Sequence, residues 1–167
     1  KGCGAEYYLG QTSVASNGKG DLVFAYEGAT TDHGPMQVYV RTSKDEGRTW
    51  SGRTALSVKG ENATGPRVDM GPGGNARLWY MQTSGNDNPN AWNVWYQQAR
   101  DVGSNWRKPV KLSNATSGPG YVTPKGFKEI YGDYGEIAVT NKGKTVAVWG
   151  EGFSYTGPGG TWIGLQQ

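Results

Sequence analysis

The sequence predicts an all-β protein built from a repeated four-stranded antiparallel unit, and three observations carry that expectation. Glycine supplies 28 of 167 residues, more than twice the usual ~7%, so tight turns are frequent. Aromatic residues make up 12% of the chain, with seven Trp and ten Tyr. They provide core-forming surface although the mean hydropathy is only −0.68. Short alternating apolar runs also recur at a fixed period, which is the signature of a repeat architecture.

Each run can be placed in order. SVASNGKGDLVFAY (13–26), RVDMGPGGNARLWY (67–80) and EIAVTNKGKTVAVW (136–149) each read as strand, glycine turn and strand. Val14 and Val68 stand 54 positions apart, and the same offset sets Gly20 on Gly74 and Tyr26 on Tyr80. An offset of 123 sets Val14 on Ile137, Gly20 on Gly143 and Tyr26 on Trp149. Third strands are expected in MQVYVRTS (36–43), WNVWYQQA (92–99) and TWIGLQQ (161–167). The first two copies continue into fourth strands, SGRTALSV (51–58) and RKPVKLSN (107–114). The chain therefore divides into units at about 7–58, 59–114 and 129–167, the last without a fourth strand.

Between the third and fourth strands lie SKDEGRTW (43–50) and ARDVGSNW (99–106). An Asp there accepts turn amides, a Gly permits a positive φ, Ser and Thr satisfy further backbone groups, and Trp packs between strands. The first stretch resembles the Asp-box of sialidases and BNR-repeat proteins, S-x-D-x-G-x-T-W, at Ser43, Asp45, Gly47, Thr49 and Trp50. The second keeps Asp101, Gly103 and Trp106, with Ala99 and Asn105 in place of Ser and Thr. GDYGEIAVTNKGKTVAVWGE (132–151) is similar to a late blade of secreted bacterial sialidase-like propellers. The resemblance implies a β-propeller of four-stranded blades, about three of them here and six in the whole ring. It also implies a secreted glycoside hydrolase, with the box residues in structural roles on the face away from the substrate.

In such a propeller, ligands meet the mouth formed by the loops leading into the first strand and joining the second to the third. Ser13, Arg67 and Glu136 open the three innermost strands. Arg67 is suited to gripping a carboxylate and Glu136 to acid–base work; ordinary polar positions at a strand start are the other reading. The segment 113–135 is roughly fifteen residues longer than its counterpart, and long loops in compact repeats are usually functional or covering. It brings Tyr121, Tyr131, Asp133 and Tyr134 toward Glu136. Sialidases use a Tyr nucleophile, so the resemblance assigns that role to Tyr131 or Tyr134, paired with Glu129 or Glu136. Packing or sugar stacking is the alternative role for these tyrosines. Arg67 is the one candidate for the family's arginine triad. Glu27, Gln82 and Glu151 end the second strands and face the mouth; Glu27 and Glu151 join Arg67 and Tyr121 as candidate substrate-binding residues. His33 is the only histidine, which argues against a His-rich zinc site; it reads as a solvated loop residue or as an acid–base group of a lyase.

Other features bound the partners. The net charge of +3 is scattered along the chain, so no nucleic-acid footprint is expected, while a mildly basic surface suits an anionic glycan. No run approaches the ~18–20 apolar residues of a membrane span. Cys3 stands alone, which leaves no internal disulfide and no thiolate metal site; it pairs outside the chain or stays a free thiol. No cofactor or metal is expected, and the acidic residues are too dispersed to forecast a structural calcium. Asn62 and Asn114 begin glycosylation sequons, which repeat ancestry explains equally well. Three blades cannot close a ring and leave strands unpaired. A second polypeptide segment or a second copy is therefore the expected partner, with the chain a fragment, a processed piece or a self-closing oligomer. The function classes are a glycoside hydrolase, a non-catalytic glycan-binding propeller, and, further off, a polysaccharide lyase or a scaffold. Unequal residues at equivalent blade positions lean toward one asymmetric site, and so toward an enzyme.

Overall fold

The computed structural model describes residues 11–31, 34–83, 92–113, 122–123, 126–127, 135–152 and 159–165. The first sheet has the order β1 (Thr12–Ser16), β2 (Leu22–Gly28), β3 (Gln37–Ser43), β4 (Thr54–Ala55). The second runs β5 (Ala63–Met70), β6 (Ala76–Gln82), β7 (Asn93–Gln98), β8 (Val110–Lys111). Two short strands, β9 (Val122–Thr123) and β10 (Gly126–Phe127), pair with each other inside the long segment that reads as a loop in sequence. The third sheet is β11 (Gly135–Val139), β12 (Thr145–Gly152), β13 (Gly159–Leu165). All pairs are antiparallel. The innermost strands lie side by side, β1 against β5 and β5 against β11, so the sheets stand as neighbouring blades around one axis.

The register reproduces the repeat. Val14 pairs with Phe24, Val68 with Leu78 and Ile137 with Ala147, which preserves the offsets of 54 and 123. The aligned turn glycines all adopt a left-handed conformation: Gly20 at φ 93°, Gly74 at 78° and Gly143 at 75°. A side chain at such a backbone is strained, so the glycine is what keeps each two-strand unit in phase. Alternation along the strands then sends one set of side chains to each face. Ala15, Val23, Ala25 and Val40 of the first blade pack on Val68, Leu78 and Tyr80 of the second. The second blade's other face, with Trp79, Met81 and Val94, packs on Ile137, Ala147 and Trp149 of the third.

The fourth strands are shorter than the sequence pattern suggests, two residues each instead of eight. The pairing continues through side chains. The Val38 amide donates to Ser57 Oγ at 2.9 Å, and at the equivalent place the Val94 amide donates to Ser113 Oγ at 2.8 Å. A serine hydroxyl thus replaces a ladder carbonyl two residues beyond the end of each short fourth strand.

The two box turns differ in how they are held. In the first, Ser43 Oγ donates to Asp45 Oδ1 at 2.7 Å and accepts the Gly47 amide at 2.8 Å. Asp45 accepts the Thr49 amide at 2.8 Å and its hydroxyl at 2.6 Å. These bonds, that from the Thr49 hydroxyl foremost, hold the Asp45 carboxyl below the usual carboxylate range. The Trp50 indole N–H donates to the Gly47 carbonyl at 3.0 Å. In the second turn, the Ser104 amide and hydroxyl close the loop on the Asp101 backbone carbonyl, each at 2.6 Å. No hydrogen bond reaches the Asp101 carboxylate among the described residues. Ser43→Ala is therefore expected to cost about 1 kcal/mol by removing the acceptor of the half-buried Asp45 and Gly47 amides, whereas Asp101→Ala leaves the denaturant midpoint unchanged. Equal shifts for the two variants in urea unfolding would contradict this difference.

Two blade faces lack a neighbour within the chain. On the first blade Val14 is 62% exposed, beside the stacked pair Phe24 and Tyr26. On the third, Ile163 is 63% exposed, in a cross-strand row with Val148 and Glu136. These positions correspond by offset to residues that are buried elsewhere. Val14, Phe24 and Tyr26 match Val68, Leu78 and Tyr80, and Ala138, Val146, Val148 and Ile163 match Ala15, Val23, Ala25 and Val40. The open faces are thus the two halves of the contact already made between the first and second blades.

Candidate functional site

The end of β2 and the start of β5 meet on the side away from the box turns. Gln37 pairs with Gly28 and Ser43 with Leu22, so the first box lies at the far end of a seven-residue strand from Glu27, about 20 Å away. Gly65 and Pro66 interrupt β5 between Thr64 and Arg67, where the register shifts. Gly65 takes φ 64° and Pro66 has no N–H to lose from the ladder. The bulge aims three groups. Thr64 Oγ1 and the Gly65 amide donate to Glu27 Oε2 at 2.6 and 2.9 Å. Arg67 turns to the third blade, its Nε donating to the Gly135 carbonyl at 3.0 Å. Its Nη1 donates to the Pro66 carbonyl at 3.0 Å and reaches Gln11 Oε1 at 3.5 Å.

Glu27 is the electrostatically unusual member. Only 6% of it is exposed, and burial pushes its carboxyl up to about 7. Hydrogen bonds from Thr64, Gly65 and the Gln11 backbone, together with the charge of Arg67, oppose the shift without cancelling it.

The equivalent positions Ser13, Arg67 and Glu136 take related seats. Ser13 Oγ accepts the Val68 amide of the next blade at 3.1 Å, and Arg67 holds Gly135 of the blade after that. Glu136 is exposed, its Oε1 accepting the Ile137 amide at 3.1 Å. Strand parity decides where it points. Gly135 and Ile137 face the second blade, Gly135 so closely that an added Cβ would overlap the Trp79 ring. Glu136 therefore lies on the opposite, open face, although its backbone carbonyl accepts the Trp79 indole N–H at 3.0 Å. The structure thus brings Arg67 beside Gly135 and the backbone of Glu136 but not beside the Glu136 carboxylate.

Glu151 lies in β12, toward the mouth end, paired with Gly160. Tyr121, Glu129, Tyr131, Asp133 and Tyr134, like Cys3, His33 and Asn114, fall outside the described residues. Among the described residues no three His, Cys, Asp or Glu side chains group as metal ligands. Gln11 and the Thr64–Gly65 bulge escape a reading by motif; the signal for the bulge was Gly-Pro inside an otherwise regular strand.

No protein-family model matches the chain, and no curated protein matches it. Among solved structures it is similar to the Hadza microbial sialidase Hz136, with a TM-score of 0.64 and 14% identity over 96% of this chain and 35% of that one. A protein of unknown function from Dyadobacter fermentans gives a TM-score of 0.63 at 14% identity, over 96% and 51%. The α-L-arabinanase of Penicillium chrysogenum gives 0.53 at 18% identity, over 96% and 44%. The chain spans about a third to a half of these structures. At such identities the likeness is one of fold: this is an incomplete, sialidase-like β-propeller.

Proposed function

We propose that the chain forms part of the mouth of a glycoside hydrolase, with Glu27 as proton donor and Arg67 as the group that holds an anionic substituent of the glycan. One observation supports this above the others. A buried carboxyl that keeps its proton to about pH 7 sits next to an arginine at the rim of the blades, away from the box turns. A glycosidase acid needs that property, because it must be protonated at working pH to assist the leaving oxygen. Glu136, two blades on, is the second carboxylate in this reading, and Tyr121, Tyr131, Asp133, Tyr134 and Glu151 complete the sugar contacts. The mouth closes when further blades cover the two open faces, supplied by another polypeptide segment or by a second copy of the chain.

A glycan-binding propeller without turnover is favoured by a different observation: Arg67 already donates to two backbone carbonyls, and Glu27 already accepts from Thr64 and Gly65. Hydrolysis assays on sialosides and other anionic glycans separate the two. Turnover that falls at least ~100-fold in Glu27→Gln, declines as pH rises through about 7, and shows a raised KM in Arg67→Ala supports the enzyme. Binding without turnover, unchanged in Glu27→Gln, Arg67→Ala and Glu136→Gln, overturns it.

A further inference from the structure

The described residues make one kind of blade contact and leave it unmade at both ends. Between the first two blades, Ala15, Val23, Ala25 and Val40 form a socket into which Val68, Leu78 and Tyr80 press. Trp95 and Trp106 of the second blade pack against the same cluster.

The open face of the first blade repeats the pressing side. Val14, Phe24 and Tyr26 stand 54 positions before Val68, Leu78 and Tyr80, and Tyr39 and Trp50 stand 56 before Trp95 and Trp106. The open face of the third blade repeats the socket. Ala138, Val146, Val148 and Ile163 stand 123 positions after Ala15, Val23, Ala25 and Val40. Every one of these positions keeps an apolar or aromatic residue. Exposure is what sets the copies apart. Val14 is 62% exposed and its counterpart Val68 5%; Ile163 is 63% exposed and its counterpart Val40 1%. Trp50, edge-on to Phe24, keeps 39% of its surface in water. Apolar faces of this kind mark contact surfaces, and these two are opposite in kind, as a head-to-tail contact requires.

The polar bonds between inner strands follow the same order. Ser13 Oγ accepts the Val68 amide at 3.1 Å across the first contact. Asp69 Oδ2 accepts the Val139 amide at 2.6 Å across the second. On the open face of the third blade, Glu136 holds the place of Ser13 and is exposed; on the first blade, Val14 holds the place of Val68. We propose that a second copy of this chain covers both faces, each copy setting its first blade on the third blade of the other, so that the two close one ring. The number of copies follows from the blade count. Propellers close with about four to eight blades, a range that two copies of the three sheets reach and three copies exceed. In the pair, the Glu136 carboxylate accepts the Val14 amide of the other copy, and one mouth carries Glu27 and Arg67 twice. Only the use of that mouth rests on the glycosidase reading; the pairing does not.

Sedimentation equilibrium tests the pairing apart from any activity. At about 100 μM chain, well above the micromolar constants at the weak end of specific interfaces, the expected mass is twice the 18.0 kDa of one chain. Val14→Asp and Ile163→Asp each put a charge into both contacts of their own pair and should weaken it at least ~100-fold. Both sites are more than half exposed, so the separate chains stay folded, which circular dichroism checks. Mixing the two variants leaves one contact between unaltered faces. A mixed pair should therefore form where neither variant pairs alone. A single-chain mass for the folded wild type, which leaves the faces to a different polypeptide, overturns the proposal. So does a mass that grows without limit, a pair that survives either substitution, or variants that stay single when mixed.

Discussion

Trp79→Ala is expected to lower the unfolding free energy by about 3–5 kcal/mol, the upper range for a buried aromatic. Trp79 is among the largest fully buried side chains of the chain, and it sits on the seam between the second and third blades. The variant loses the ring, the indole hydrogen bond to the Glu136 carbonyl and the surface on which Ile137 and Trp149 rest. Gly135 is the other half of that contact. A Cβ at Gly135 would overlap Cζ2 and Cη2 of Trp79 and approach the Val148 carbonyl oxygen to 3.0 Å. Gly135→Ala alone should therefore cost about 1–3 kcal/mol or more through overpacking. In the double variant the small residue at 79 leaves room for the new methyl, so the costs should fall short of additive. Guanidinium unfolding of the two single variants and the double variant measures this coupling. Strict additivity would show that Gly135 and the indole do not share one space.

The second large effect concerns pH. In the unfolded chain Glu27 titrates near 4.5, and in the folded protein burial raises it to about 7. The folded state holds the proton more tightly, so folding takes one up between these values. Stability then declines as pH rises from about 4.5 to about 7 and levels off above. The loss across that window is roughly 3 kcal/mol. Glu27→Gln keeps an oxygen for Thr64 and Gly65 and carries no charge, so its stability should be nearly flat over the same window and should exceed that of the wild type at about pH 8. Urea midpoints measured across the window decide the matter. A slope equal to the wild type's in Glu27→Gln would mean that another group carries the titration. The same variant is the one expected to lose turnover, so a chain that becomes more stable while losing activity would place Glu27 at a strained functional position.

Much of the frame was legible because it depends on local chemistry. A glycine in the left-handed region at the same step of each hairpin, followed by two-residue alternation, sets both the blade period and the strand register. That is why offsets counted from Val14 and Gly20 hold in three dimensions. The fourth strands were overread, because apolar alternation in SGRTALSV and RKPVKLSN cannot reveal that Ser57 and Ser113 complete the ladder with side chains. The long segment before the third blade carries a short hairpin that its glycine- and proline-rich composition hid.

The site was less legible, for a reason visible at three residues. Arg67 and Glu136 occupy equivalent positions and, by the shared register, both turn toward the following blade. Arg67 meets the Gly135 carbonyl there, whereas Glu136 stays exposed on the open face of the third blade, a difference that the packing and not the sequence position decides. Glu27 read as a rim carboxylate, and only the second blade closing over it made it a buried acid. By itself the sequence determined the all-β blade repeat, its turn chemistry and its period, because these arise from residues within a few positions of one another. Which faces remain open and which carboxyl loses its water were decided by blades meeting across some fifty residues, since burial belongs to the packed assembly and not to any single strand.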